Sequence, residues 1–360
     1  MESKTRKIVG TWLVIGLVMV IVQVILGGVT RLTDSGLSIT EWNVIKGTIP
    51  PLNETDWNIS FEKYKNMARQ QFEMLHADMT LKDFKRIYFW EWSHRLWARS
   101  MGFVFLFPFL YFLKKKMLPY WLIKRLGIVI LLAALAASFG WIMVASGLEN
   151  EQRTWVSAYK LSAHLGIAAL LFYYLFNSCL LVLQEKTFDY KHKKLKTFSN
   201  LIIPIVFIQI LLGGLMAGMR AGVIHMYWPF FMGDNNLVSI ITSNVDFSFA
   251  SIINYESNVF IKAVVQVFHR SFAWFIVGLS IYFAFKVKNS KVSKKLTKAT
   301  IFAIIIIFVQ FTLGIFTILN YSNPDALLVL GILHQSFAFI SLLSWLYVFH
   351  QFRGEKVRNI

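Results

Sequence analysis

Residues 259–285, VFIKAVVQVFHRSFAWFIVGLSIYFAF, form one of the apolar stretches that decide the fold of this chain. The stretch exceeds the roughly 20 residues that a helix needs to cross a bilayer, and a helix satisfies its own backbone polar groups in lipid. Seven more such stretches occur: 8–29, 88–112, 126–146, 158–183, 199–219, 299–319 and 326–350. The sequence therefore predicts an all-α membrane protein with eight transmembrane helices.

The composition agrees with a membrane protein. Hydrophobic residues make up 56% of the 360 residues and charged residues only 16%, which excludes an ordinary soluble domain. The first apolar stretch is longer than the core of a secretory signal peptide, and no small-residue cleavage site follows it. We therefore expect it to remain in the protein as a helix.

The net charge of +18 is concentrated on one set of loops. The two termini and the loops after every second span carry 22 basic and 4 acidic residues; these segments are 1–7, 114–125, 184–198, 286–298 and 351–360. Such an excess of Lys and Arg marks cytoplasmic segments. Both termini are therefore predicted to be cytoplasmic, with the long segments 30–87 and 220–258 outside. The positive charge is explained by topology and by contact with anionic lipid, so no nucleic-acid partner is expected.

The two halves of the chain resemble each other. The matched positions are Gly27 and Gly213, Gly28 and Gly214, Arg31 and Arg220, His94 and His269, Arg95 and Arg270, and His164 and His334. Four spans per half give both halves the same orientation, so the repeat predicts two tandem four-helix bundles related by pseudo-two-fold symmetry. The predicted bundles are 1–183, which includes the outer loop 30–87, and 199–360, with 184–198 as the cytoplasmic linker.

The four matched histidines lie about 6 to 10 residues inside their spans, or roughly 9–15 Å below the outer surface. The two histidine-bearing helices of each half run in the same direction, so their imidazoles can face each other. Facing imidazoles can serve as the axial ligands of a heme, whereas a lone intramembrane histidine more often forms a hydrogen bond or a proton relay. Pairing at matched depth in both halves favours two hemes. Without a Cys-x-x-Cys-His motif, each heme would be held noncovalently. The remaining histidines are interpreted as surface residues: His76, His192, His225 and His350.

The residues around the histidines differ between the halves. Arg95 and Arg270 could bind heme propionates, or they could extend toward lipid headgroups. Glu91 shares a helix face with His94, and the matched position in the second half is Gln266. A carboxylate on one side only favours chemistry in the first half, although Glu91 could instead pair with Arg95.

The outer loop 30–87 also has no counterpart in the second half. Its amphipathic stretch near 60–86 carries several large apolar residues among charges. It is predicted to lie as an interfacial helix over the mouth of the first bundle, where it could gate the entry of a lipophilic substrate.

Several motifs together resemble the heme A synthase family. They are Gly27-Gly28-Val-Thr-Arg31-Leu-Thr-Asp-Ser-Gly36-Leu-Ser38, Glu91-Trp-Ser-His94-Arg95, Gly140-Trp141-Ile-Met143-Val144, Ser146-Gly147-Leu148, Trp228-Pro229, His269-Arg270 and His334. The resemblance covers nearly the whole chain. The absence of a cysteine pair in the first outer loop places the resemblance with the proteobacterial and mitochondrial branch. One departure is Ala136, where the family usually has glutamine; Gln310 is kept in the second half.

The resemblance implies oxidation of the C8 methyl of heme O to a formyl group, which makes heme A for terminal oxidases. The implied route is successive hydroxylation to a geminal diol that loses water. The second half would hold a cofactor heme b through His269 and His334, and the first half would bind heme O near His94 and His164, with Glu91 catalytic.

The resemblance also implies a location and partners. We expect a protein of the bacterial inner membrane that receives heme O from heme O synthase and exchanges electrons with a further partner. A homo-oligomer is compatible with the sequence. Two other classes remain open from the residues alone: a non-catalytic diheme cytochrome b and a heme transporter.

Overall fold

A computed structural model describes residues 1–148, 153–184, 189, 191–233 and 235–353. In these ranges the regular elements are helices and no strand occurs. The α-helices are α1 (Ser3–Leu32), α2 (Glu54–Met67), α3 (Arg69–Leu75), α4 (Leu81–Lys114), α5 (Tyr120–Leu148), α6 (Ala158–Leu183), α7 (Lys193–Gly218), α8 (Leu237–Ser243), α9 (Phe249–Ile253), α10 (Val259–Lys288), α11 (Lys294–Leu319) and α12 (Pro324–His350). Two short 3₁₀ turns, Lys46–Thr48 and Ala221–Ile224, lie between α1 and α2 and between α7 and α8.

Eight of the helices within the described ranges are long and apolar enough to cross a membrane: α1, α4, α5, α6, α7, α10, α11 and α12. They coincide with the eight predicted spans, so the all-α membrane fold is confirmed. The start of α4 at Leu81 lies before the predicted start of its span. The reason is local, since the side chains of Thr80 and Asp83 form a capping box that begins the helix there.

The stretch 60–86 is not one helix, whereas its position at the membrane interface and its role as a gate remain predictions. Instead α2 and α3 precede α4, and the chain breaks at Ala68 and again after Leu75. The apolar side of α2 packs on the N-terminal part of α4, where the ring of Phe84 stacks on Phe61 at 4.9 Å and on Tyr64 at 5.5 Å. This packing buries the aromatic side chains of the stretch against the protein.

The spanning helices contact one another in an order that repeats along the chain. Helix α1 contacts α4 and α6, and α5 packs along α6. Similarly, α7 contacts α10 and α12, and α11 packs along α12. The two sets meet through α1, α6, α7 and α12, where the Gln335 amide donates to the Val24 carbonyl at 2.9 Å. The division into two bundles with a linker at 184–198 remains a prediction.

The prediction for one histidine, at the C-terminal end of α12, was wrong. His350, the last residue of α12, is 2% exposed, so its interpretation as a surface residue was wrong. The side chain is buried because the end of α12 packs among neighbouring helices that the sequence alone does not identify. Cys179 is also buried, inside α6.

Candidate functional site

Two of the predicted ligands face each other in the second half. The rings of His269 in α10 and His334 in α12 have centroids 6.3 Å apart and planes at 83°. His334 Nδ1 lies 3.2 Å from the Gln310 carbonyl, which leaves Nε2 as the free nitrogen of that ring. Metal–imidazole bonds are about 2 Å long, so two rings on opposite sides of one metal have centroids roughly 6 Å apart. The spacing therefore fits a pair of axial ligands.

Each of the four histidines lies against a glycine of a neighbouring helix. The pairs are His94 with Gly27, His164 with Gly140, His269 with Gly213, and His334 with Gly314. A Cβ on Gly314 would lie 2.9 Å from His334 Cε1, and a Cβ on Gly27 would lie 3.2 Å from His94 Nε2. The glycines therefore provide the space that the imidazoles occupy, and the same arrangement occurs in both halves.

The donor set also fits heme rather than a metal ion held by protein alone. In the described ranges, no group of three or more His, Cys, Asp or Glu side chains converges on one point. A pair of histidines is sufficient for an iron that brings four equatorial nitrogen ligands with it. Two buried nitrogens, Nδ1 of His164 and Nδ1 of His269, have no hydrogen-bond partner among the described residues.

The first histidine pair lies on two different helices of the first half. His94 lies in α4 and His164 in α6. Among the described residues, their rings do not make a contact like that of His269 with His334.

The Glu91 carboxylate lies one helical turn from His94, and both of its oxygens have hydrogen-bond donors. Glu91 is 2% exposed. Its Oε2 accepts hydrogen bonds from the Ser38 hydroxyl and the Ile39 backbone N–H, both at 2.7 Å, and its Oε1 lies 2.5 Å from Arg95 Nη2. Arg95 also donates to the carbonyls of Ile39 at 2.8 Å and Glu41 at 2.9 Å. Residues 38–41, here called the first cap, therefore hold both side chains.

The second half has a similar cap with a different set of bonds. Gln266 is completely buried, and its amide donates to the His225 carbonyl at 2.9 Å. Arg270 donates to the Tyr227 carbonyl at 2.7 Å and lies 3.3 Å from His225 Nδ1. Its guanidinium also lies over the Trp228 ring, 5.2 Å from the centroid. Residues 225–227 are called the second cap.

His225 was wrongly interpreted as a surface residue, since it is 3% exposed. Its Nδ1 accepts from Arg270, so its Nε2–H is the group that donates to the Met232 carbonyl at 2.8 Å. Burial lowers the pKa of His225, and the positive charge of Arg270 lowers that pKa further, while the bond to Met232 opposes both. The neutral imidazole is therefore the form that fits the second cap.

Sequence reasoning missed both caps, although a signal for them was present. The offset of 186 residues between Gly27 and Gly213 also relates Ile39 to His225 and Glu41 to Tyr227. Arg95 and Arg270 each bind the cap of their own half. Their predicted contact with propionates remains a prediction.

The fold and the paired intramembrane histidines define an integral membrane protein with two candidate heme sites. Residues 10–346 match the family model described as cytochrome oxidase assembly protein, COX15-CtaA. The chain is 39% identical to the heme A synthase of Flavobacterium psychrophilum over 97% of this chain and 99% of that protein. It is 37% identical to the enzyme of Flavobacterium johnsoniae, with the same coverage. It is 36% identical to that of Nitrosospira multiformis, over 97% of this chain and 95% of that one.

The chain therefore belongs to the heme A synthase family. Membership makes it a membrane enzyme of heme A biosynthesis and implies that heme is bound.

Proposed function

We propose that this protein oxidises the C8 methyl group of heme O to the formyl group of heme A. The observation that carries the proposal is the asymmetry between Glu91 and Gln266 beside otherwise matched histidine pairs. A catalytic half needs a group that responds to charge or protons at the reacting carbon, and a half that only holds a cofactor does not. The first half is therefore proposed to bind the substrate.

The second half is proposed to hold a resident heme b. His269 and His334 would hold its iron, since their rings are spaced for one metal between them. A bound heme b would supply a one-electron redox centre close to the substrate half. Arg270 and Gln266 would keep the second cap in place, because both donate to carbonyls of that cap.

In the first half, His94 and His164 are proposed to bind heme O, and Arg95 to orient Glu91. The methyl carbon would be hydroxylated twice, each time taking an oxygen atom from water and releasing two protons and two electrons, and the electrons would pass to the separate electron-exchanging partner. The resulting geminal diol would then lose water to give the formyl group. The Glu91 side chain is held at a fixed position, because three donors bind its carboxyl oxygens. To accept a proton, Glu91 would have to exchange one of these bonds, so its role depends on the first cap.

The setting is also part of the proposal. The distribution of the +18 net charge supports cytoplasmic termini, with the heme sites toward the outer face of the bacterial inner membrane. Reporter fusions within 186–196 should then give a cytoplasmic signal and fusions within 55–60 an external one. Heme O would be handed over by heme O synthase, and a separate partner would exchange the electrons.

Extraction of the hemes bound to the purified protein tests the proposal. The protein would be produced in cells that supply heme O, with the His94→Ala variant as a control for the first site. The proposed enzyme yields heme A and heme O in addition to heme b. Heme b alone, in both proteins, would instead identify a diheme cytochrome b. Equal recovery of unmodified heme O and heme b, with no heme A under turnover conditions, would favour a transporter.

A further inference from the structure

A salt bridge joins the two halves of the molecule at their outer ends. Asp34 follows α1 and Arg220 follows α7, and the Arg220 guanidinium donates to Asp34 Oδ1. The same oxygen accepts from the Trp155 indole N–H at 3.1 Å. The Arg220 guanidinium lies over the Trp155 ring, 3.7 Å from its centroid. We call these three residues the Asp34 bridge.

The bridge is held in a specific conformation. Asp34 has φ 51° and Arg220 has φ 49°, and they are two of the three non-glycine residues in the described ranges with positive φ. Such left-handed backbone is unfavourable for residues with a side chain, so it persists where surrounding contacts hold it. A further link comes from Arg31, which donates to the Ala217 carbonyl at the end of α7 at 2.7 Å.

The chain that leaves the bridge leads directly to the first cap. The Ser35 N–H donates to the Thr30 carbonyl at 3.0 Å, and the Ser38 N–H donates to the Ser35 carbonyl at 3.0 Å. Leu37 between them is 1% exposed, and a Cβ on Gly147 would lie 2.9 Å from its Cδ2. Residues 35–38 therefore form a tight, buried connection, and a displacement of Asp34 would be transmitted to the cap.

We infer that Arg220, a residue of the second half, is a positioning residue for Glu91 in the first half. By holding Asp34, Arg220 and Trp155 fix the start of the segment whose Ser38 hydroxyl and Ile39 N–H bind the Glu91 carboxylate. Arg220 also begins the loop that carries the second cap, so one salt bridge anchors both caps. This inference rests on the proposed function for its effect on catalysis, but not for its effect on the position of the cap.

The test compares Arg220→Gln with Arg153→Gln as the matched control. Arg153 forms an outer-loop ion pair with Glu256 at 2.9 Å and lies over Tyr255, as Arg220 lies over Trp155, but it does not contact the first cap. The first readout is hydrogen exchange at the Ile39 amide in the purified protein. We expect exchange to become faster in Arg220→Gln and to remain at the wild-type rate in Arg153→Gln.

The second readout is the rate of heme A formation, with heme b content as the measure of folding. A displacement of about 1 Å in an active site can cost roughly 10²-fold in rate. We therefore expect a loss of this order in Arg220→Gln when the rate is expressed per bound heme b. The double variant Arg220→Gln/Glu91→Gln should be no slower than Glu91→Gln alone, because Arg220 acts through Glu91.

Two further variants keep the inference testable if Arg220→Gln fails to fold. Trp155→Phe keeps a ring under Arg220 but removes the N–H that binds Asp34, and Arg220→Lys keeps the charge. Both should show faster Ile39 exchange and a smaller loss of rate. Wild-type exchange at Ile39 in all three variants would overturn the inference. Faster exchange with normal heme A formation would keep the bridge as the anchor of the cap but refute the catalytic part.

Discussion

The two caps use the same framework with opposite hydrogen-bond polarity. In the first cap a backbone N–H, that of Ile39, donates to the Glu91 carboxylate. In the second cap a backbone carbonyl, that of His225, accepts from the Gln266 amide. The first cap therefore offers a hydrogen-bond donor to a carboxylate, and the second cap offers an acceptor to a neutral amide. The comparison shows that two sites with corresponding histidines and arginines can differ in chemistry through one side chain and its hydrogen-bond partner.

The packing of the helices beside the two sites also differs between the halves. Helices α10 and α11 pack on each other, and the ring of Phe311 fills the space against Trp274 at 4.6 Å and Trp228 at 5.7 Å. Helices α4 and α5 barely contact each other, and α5 carries the alanine-rich stretch 133–137 at the matched level. The closer packing of α10 on α11 than of α4 on α5 agrees with a retained cofactor in the second half and an exchanged substrate in the first.

The largest difference between the halves should appear when their histidines are removed. We expect His269→Ala and His334→Ala to lose nearly all bound heme b and its low-spin optical signal, because each removes one ligand of a spaced pair. In contrast, His94→Ala should keep heme b and lose heme A formation. Optical spectra and pyridine hemochrome analysis of the purified variants measure both quantities. Full heme b content in both second-half variants would show that the ligands were wrongly assigned.

Removing the carboxylate of the first half, or adding one to the second half, should have the next largest effect. Glu91→Gln keeps the size of the side chain but removes its charge, and loss of a catalytic acid or base typically costs about 10²–10⁴ in rate. We expect heme b content to be unchanged and heme O or a hydroxylated intermediate to accumulate.

The converse variant, Gln266→Glu, removes the donor to the His225 carbonyl. An unsatisfied buried acceptor costs about 1–3 kcal/mol, so this variant should bind heme b less stably.

Separation and quantification of the extracted hemes, together with thermal loss of heme b, measure these two effects. Wild-type levels of heme A in Glu91→Gln at limiting enzyme would reduce Glu91 to a structural partner of Arg95. Unchanged heme b stability in Gln266→Glu would mean that the polarity of the second cap does not matter.

Much of the fold could be predicted because its signals are local. The eight spans follow from the length of the apolar stretches, and the pairing of His269 with His334 follows from the internal repeat. The caps could not be predicted in the same way, since their bonds join a loop to a helix far away in the chain. Burial of His225 has the same origin, because it depends on Arg270 and Gln266.

A smaller effect is expected from the glycines that face the histidines. In Gly314→Ala the new methyl would lie 2.9 Å from His334 Cε1, so the imidazole must turn or shift. We expect several-fold weaker retention of heme b and an altered optical spectrum. Gly278→Ala is the matched control, because nothing lies within 4 Å of a Cβ at that position in α10. Equal behaviour of the two variants would show that the space beside His334 is not needed.

The smallest effect should be a dependence of the second cap on pH. Because burial lowers the pKa of His225, the imidazole of the intact cap stays neutral at pH values where an opened cap would already bind a proton. Stability of the cap is therefore greatest above about pH 6.5, the ordinary pKa of histidine, and falls as the pH decreases from there toward the lowered pKa. Protonation would also place a second positive charge against Arg270, which now donates to Nδ1.

Heme b should consequently dissociate faster at acidic pH in the wild type. His225→Gln should lose this dependence, because glutamine can both accept and donate but does not titrate in this range. The rate of heme b transfer to apomyoglobin between pH 5 and pH 8 measures it, and the same pH slope in both proteins would assign the effect to another group.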